Sequence, residues 1–223
     1  MKEYVNINKN IYEAPIVGLF LAMNSGAIDA CTFLQHGEVF VGLQTGNFIL
    51  FGISLSKLAW WQSLRYLFSI LMFALGVVFI KHLQASRYRE RNIKRIILII
   101  DLLLLVVVGI LANFISDILI VGLLAIAAAA QFQEFKLMNG NPFNPLMMTG
   151  NLRKLLDNFY SFLRFKNVKA RRIAIDTCLV LFCFILGSLI MGLLINIFDK
   201  YAIFLNVIII SIVLLVTNQK FKV

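Results

Sequence analysis

Two polar clusters interrupt an otherwise apolar chain, and each is followed by the same tripeptide. The first holds Ser25 and Asp29, one helical turn apart, and then Thr45-Gly46-Asn47; the second holds Gln131 and Glu134 and then Thr149-Gly150-Asn151. A carboxylate set between apolar surroundings that disfavour its charge and a helix start that favours it can exchange a proton near working pH. Asp29 is therefore expected to couple protons or bind solute; the competing reading is that it holds the neighbouring segment by accepting hydrogen bonds. Thr-Gly-Asn fits a loop entering a helix, where Gly permits an unusual backbone conformation and Thr or Asn caps the exposed amides. Such a helix start carries partial positive charge and suits an anionic or dipolar solute, unless it merely opens a structural helix. The ten candidate binding residues are thus Ser25, Asp29, Thr45, Gly46, Asn47, Gln131, Glu134, Thr149, Gly150 and Asn151.

Other chemistries find little support. There is no Gly-rich phosphate loop, no paired histidine for a metal, and no intramembrane histidine placed to activate Ser25. A carboxylate hydrolase would need Asp29 and Glu134 to converge. The expectation is no enzyme, no cofactor and no metal. Asp101 and Asp176 lie near span ends and are expected to be anchors or partners of adjacent cations. His36 and His82 fall in connections and receive no role. Cys31, Cys178 and Cys183 lie inside apolar segments and read as small core residues.

The elements that must position these residues follow from composition. At 223 residues, 61% hydrophobic and 14% charged, the chain is a single integral membrane domain, 1–223, with the bilayer as its partner. Its net charge of +10 sits in short clusters beside apolar runs, which marks topology and not nucleic acid. Six segments are long enough to span: about 15–34, 63–82, 95–115, 117–135, 172–197 and 200–217. The first carries Gly18, Ala22, Gly26 and Ala30 at four-residue steps, a smooth face for close helix packing.

The chain is also built twice. The tripeptides are separated by 149 minus 45, or 104 residues, and Ile16-Val17-Gly18-Leu19 returns as Ile120-Val121-Gly122-Leu123 at the same offset. Phe73-Ala74-Leu75-Gly76 answers Phe184-Ile185-Leu186-Gly187 at 184 minus 73, or 111. Repeat 1 covers about 14–115 and repeat 2 about 117–218. Residues 39–61 could cross by themselves, but that would export the loop bearing Lys81, Arg87, Arg89, Arg91, Lys94 and Arg95, against the positive-inside rule. Six spans with both termini cytoplasmic remain.

Three spans per repeat force the second copy upside down, so the tripeptides enter as broken or re-entrant helices from opposite sides. Residues 152–163 alternate leucines and phenylalanines with Arg153, Lys154 and Asp157, as an interfacial amphipathic helix does. Gln131, Gln133 and Glu134 end the apolar run of the fourth span early, so both first-of-repeat helices are expected to be interrupted. The fold class expected is all-α: a polytopic membrane protein with six transmembrane helices in two inverted three-helix repeats. It is expected in the plasma membrane as a small-solute transporter or channel. A partner-binding scaffold is the alternative, with its surface around Arg87–Arg95 and Arg164–Arg172. Solute and oligomeric state are not encoded legibly.

These motifs resemble a family. Ser25-Gly26-Ala27-Ile28-Asp29-Ala30, Val39-Phe40, Thr45-Gly46-Asn47, Gln131 and Thr149-Gly150-Asn151-Leu152 are similar to the bacterial YoaK-type membrane proteins of the domain of unknown function 1275. The family pattern continues after the Gln with Asn and, four residues later, Arg; this chain has Phe132 and Lys136 there. The resemblance implies a membrane location and six spans, and carries no activity.

Overall fold

The computed structural model describes residues 10–85 and 90–218. Arg87 and Arg89 of the expected basic loop, and Lys220 and Lys222 of the tail, lie outside the described residues. The helices are α1 (Pro15–Gln35), α2 (Gln44–Ser56), α3 (Trp60–Ala85), α4 (Glu90–Leu111), α5 (Asp117–Glu134), α6 (Met148–Phe165), α7 (Val168–Phe198) and α8 (Phe204–Asn218). A two-residue antiparallel pair, β1 (Leu137–Met138) with β2 (Asn141–Pro142), precedes α6. The chain is all-α apart from that hairpin.

Local chemistry sets the ends. Pro15 opens α1, where its missing N–H costs nothing, and Asn10 caps the preceding 3-10 turn by accepting from Tyr12 N at 3.3 Å. Asn167 caps α7 by accepting from Ala170 N at 3.1 Å. After α1 the chain turns at Gly37 (φ +80°), where the Arg65 guanidinium occupies the space a Cβ would need.

Four stretches are long and apolar enough to cross a membrane: Pro15–Gln35, Trp60–Ala85, Asp117–Glu134 and the continuous Val168–Asn218, which holds α7, a 3-10 turn and α8. Taken alone, α8 has 15 residues, and α4 carries Lys94, Arg95 and Asp101 along its length. Ile175, Leu179, Phe182, Ile185 and Leu189 lie exposed along α7, as a lipid-facing line does. This is a membrane protein.

Two expectations are corrected. Neither α1 nor α5 is interrupted: both run unbroken, because the polar residues of α5 fall in its last turn and those of α1 find partners inside the protein, Asn24 at Asn206, Ser25 at Leu21 O and Asp29 at the 41–42 loop. The basic stretch 81–95 is not one solvated loop, since α3 runs to Ala85 and α4 starts at Glu90 and buries Lys94.

The main helix contacts recur when the first four helices are exchanged with the last four. The partners of α1 are α7 and α8; those of α5 are α3 and α4; α2 lies on α3 as α6 lies on α7; α4 meets α8. The tightest crossing is α1 with α7. A Cβ at Gly26 would collide with Phe184 O, one at Gly187 with Met23 O, and Ser188 Oγ donates to Gly26 O at 3.0 Å. Of the small-residue stripe, only its middle meets α7 in this way. Gly18 lies against Met138 and Phe143, Ala22 is buried in the same cluster, and Ala30 is half-buried.

Gly26→Val should therefore force the α1–α7 crossing apart and destabilise the fold by about 1–3 kcal/mol or more. Gly192→Ala, with nothing near its Cβ position, should be neutral or stabilising by about 0.5–1 kcal/mol. Thermal unfolding midpoints in one detergent, compared with the parent, check both directions.

Candidate functional site

The helix α2 starts beside Ser69, part-way along α3, and runs back antiparallel to it, ending where Ser54 and Ser63 hydroxyls meet at 2.7 Å. A start at that depth needs partners for its first amides. Leu43 at the N-cap has none to offer. Asp29 instead holds the loop that leads into it: its Oδ1 accepts from Val41 N at 2.9 Å and from Gly42 N at 2.7 Å, while Gln44 N turns to Gly42 O at 3.0 Å. A buried carboxylate under the positive end of a helix is compensated by those donors and by the dipole.

Asn47 does a different job from the capping expected of it. Phe40 N donates to Asn47 Oδ1 at 3.0 Å, and Asn47 Nδ2 reaches Phe40 O at 2.6 Å, Gln44 Oε1 at 2.9 Å and Ser69 Oγ at 3.2 Å. Ser69 Oγ also donates to Phe40 O at 2.8 Å. The Asn side chain clasps the backbone seven residues back and closes the loop. Gly46 lets the Phe40 ring lie close, whereas Thr45 is exposed.

The second tripeptide repeats the clasp with fewer bonds. Asn151 Nδ2 donates to Asn144 O at 2.9 Å, and 151 minus 144 equals 47 minus 40. Leu146 N donates to Asn144 Oδ1 at 2.9 Å. Thr149 is exposed and Gly150 has open space around it. At the Asp29 position, 29 plus 104, stands Gln133, which donates to Gln84 Oε1 at 3.1 Å and not to the α6 loop. At the Ser69 position, 69 plus 111, stands Val180, fully buried.

The two loops meet. A Cβ on Gly42 would strike the Leu146 side chain and come within 3.1 Å of Asp29 Oδ2. Gly42 and Leu146 are themselves 104 positions apart, so equivalent residues of the two copies face each other beside the Asp29 carboxylate.

The remaining polar residues gather at two poles. At the first, Gln84 Nε2 donates to Glu134 Oε2 at 2.6 Å, and Tyr12, Gln84, Lys94, Gln133, Glu134 and Lys136 line a cavity of about 380 Å³. At the second, Gln35 Nε2 donates to Asp199 Oδ1 at 2.9 Å, His36 Nδ1 lies 2.9 Å from Asp117 Oδ1, and Lys200 Nζ donates to Ala112 O at 3.2 Å. Burial pushes the His36 pKa below its ordinary 6.5, and the hydrogen bond and charge of Asp117 only partly offset this. Sequence reasoning assigned His36 nothing, because its partner lies 81 residues away.

The ten expected residues therefore do not form one site. Asp29, Gly46 and Asn47 build the α2 loop, and Asn151 builds the α6 loop. Ser25 is spent on Leu21 O at 2.9 Å, and Glu134 lines the cavity. Gln131 lies beside Asp101. Asp101 itself departs from the anchoring role expected of it: it is fully buried on α4, and neither oxygen has a hydrogen-bond partner. Asp176 accepts from Asn139 Nδ2 at 2.9 Å, where α7 meets the hairpin. Among the described residues no cluster of three or more His, Cys, Asp or Glu is placed to hold a metal ion.

This arrangement spans the stretch matched by one family model, Protein of unknown function (DUF1275), over residues 17–216. The chain belongs to this family. No curated protein and no solved structure matches it. The doubled tripeptide of this DUF1275 protein is thus a pair of Asn clasps at the starts of α2 and α6.

Asn47→Ala should leave the Phe40 backbone groups without partners and cost about 1–3 kcal/mol. Asn151→Ala should cost about 0.5–1.5 kcal/mol, since one bond is lost. Chemical unfolding in mixed micelles would rank the two. At the second pole, the folded chain favours neutral His36, so its contribution is complete above 6.5 and is lost as pH falls below that value. The thermal midpoint should drop on mild acidification, and His36→Gln should flatten that dependence.

Proposed function

We propose that this DUF1275 protein carries a small solute across the cell membrane by alternating access between two inverted repeats. The observation that carries the proposal is the pair of half-helices whose starting loops meet at Gly42 and Leu146. Discontinuous helices in corresponding halves, touching mid-molecule, are the arrangement transporters use to place a site between moving parts. In this reading all six long helices cross. The ends meeting at each pole support that threading: Tyr12, Gln84, Lys94 and Glu134 at one, His36, Ala112, Asp117 and Asp199 at the other. Both termini then lie on the cavity side, which the cation clusters make cytoplasmic.

The two poles differ in a way that suits one state of such a cycle. The cytoplasmic pole holds the cavity, while the outer pole is latched by Gln35–Asp199, His36–Asp117 and Lys200–Ala112 contacts. This is an inward-open carrier with a mixed-charge vestibule suited to a dipolar or anionic solute. A rigid, partner-binding subunit is the second reading. What favours it is the close glycine crossing of α1 and α7, together with an Asp29 whose Oδ1 is held by two backbone amides of one loop.

Spin-label distances separate the two without knowledge of the solute. Pairs placed on Leu34 and Phe114 at the outer pole, and on Lys81 and Leu137 at the inner, are measured in liposomes. A carrier gives two distance populations at each pole, with the inner lengthening as the outer shortens. A single narrow distance at both poles under every pH and salt condition would leave the subunit reading. Impermeant thiol labelling of Ser116→Cys from outside, and of Asn167→Cys only after permeabilisation, tests the orientation in the same preparations.

A further inference from the structure

Asp101 is fully buried, no polar atom lies within hydrogen-bond geometry of its oxygens, and the polar group that acts on it is the Gln131 side chain. An ionised carboxylate held that way costs several kcal/mol, so such a group is neutral or holds a cation. Its neighbour on α5 is Gln131, itself buried. A carboxylic acid and an amide are complementary: the acid O–H donates to the amide oxygen, and the amide N–H donates to the acid carbonyl. An ionised carboxylate has no proton to offer that oxygen. A metal cation needs a cage of several oxygens, and no cluster of the kind that would hold one occurs among the described residues.

The pair also has an approach. Lys94 precedes Asp101 by seven residues on the same buried face of α4, with Ile97 and Leu98 between, or about 10 Å of helix. On α5, Gln131 stands about one turn from Glu134. Lys94 and Glu134 both line the 380 Å³ cavity. Two helices therefore run from one water-accessible space to one acid–amide pair.

We infer that Asp101 and Gln131 form a proton-binding site, loaded and emptied through the cavity bounded by Lys94 and Glu134. The inference deepens the carrier reading and rests on it for its purpose: it makes the proton the coupling ion. In the state described here Asp101 is the neutral acid. On release the O–H bond breaks, the proton passes to cavity water, and the charge left on Asp101 lies on the Lys94 face of α4. Rebinding restores the neutral acid and permits the buried arrangement again. The charged groups on the surrounding elements are Glu90, Arg91, Lys94 and Arg95 on α4, Asp117 and Glu134 at the two ends of α5, Arg65, Lys81 and His82 on α3, and Asp199 and Lys200 in the 3-10 turn at the far pole; α8 has none among the described residues. Asp29 is the poorer candidate, because its Oδ1 is already held by the Val41 and Gly42 amides.

The test needs no transported solute. The full chain in phosphatidylcholine liposomes is treated with dicyclohexylcarbodiimide, which attacks protonated carboxyls in apolar surroundings, and the modified residue is mapped by mass spectrometry across a pH series. Expected is labelling of Asp101, slowing about tenfold per pH unit on the alkaline side of its midpoint, with Asp29 unlabelled. Gln131→Leu should shift that midpoint while leaving the label on Asp101. Infrared difference spectra between acid and alkaline buffer should show a carboxylic C=O band that Asp101→Asn abolishes. No label on Asp101 at any pH, a label that ignores pH, or the same infrared band in Asp101→Asn overturns the proposal. Labelling as expected with single, fixed spin-label distances would remove the carrier and keep the proton site. The reverse result would remove the proton site and keep the carrier.

Discussion

A helix that begins inside an apolar layer leaves its first amide groups with no water to bond, and this constraint shapes the centre of the molecule. The starts of α2 and α6 both face it. Asp29 holds the loop before α2 by presenting one carboxylate oxygen to two consecutive amides, and Asn47, in the first turn of α2, satisfies both backbone groups of Phe40. One group comes from α1 and the other from α2 itself, so the loop, α1 and α3 are fixed relative to one another by the same few bonds. That is why a span with a buried acid and a glycine-rich loop can coexist without exposing charge to lipid.

The two copies solve the problem unequally. The first has Asp29, Ser69 and a double clasp; the second has Gln133 turned to Gln84, Val180 in the serine's place and a single clasp. In the second copy packing replaces hydrogen bonding: Leu146 and Met148 sit in buried apolar clusters, and Lys154 Nζ donates to Pro142 O to tie α6 to the hairpin. Burial lowers the Lys154 pKa, with Asp176 opposing. Packing contacts slide more readily than directional bonds, so α6 is the half-helix less firmly pinned at its start.

Much of the fold was legible because it is local. The 104-residue offset located both half-helices, Pro15 located the start of α1, and runs of apolar residues located the long helices within a few positions. What was hidden is non-local. The clasp of Asn47 on Phe40 looks in sequence like a cap, yet Asn47 lies four residues past the N-cap Leu43, and a side chain bonding seven residues back has no periodic signature. The pairing of His36 with Asp117 requires the ends of α1 and α5 to share a pole. Lys94 was counted as a loop cation because charge near an apolar run normally marks an exit from the membrane; only the burial of its face of α4 shows that it lines a cavity instead. Gln131 and Glu134 looked like a break in α5 because polar residues shorten an apolar run, but a helix ending at a polar pole tolerates them without breaking.

The same logic separates the two buried aspartates, which composition treats alike. Asp29 has its charge answered by fixed backbone dipoles, and removing that charge would cost the loop its partner. Asp101 has no backbone amide fixed on it and only the Gln131 side chain beside it, so its neutral form is the one the surroundings favour. A carboxylate clamped by amides holds structure still, because every protonation change would release the loop before α2. One proposed to be tolerated only when neutral does the opposite: its ionisation would work against the packing of α4 on α5 around it. Of the two, Asp101 is the residue whose protonation the fold can sense.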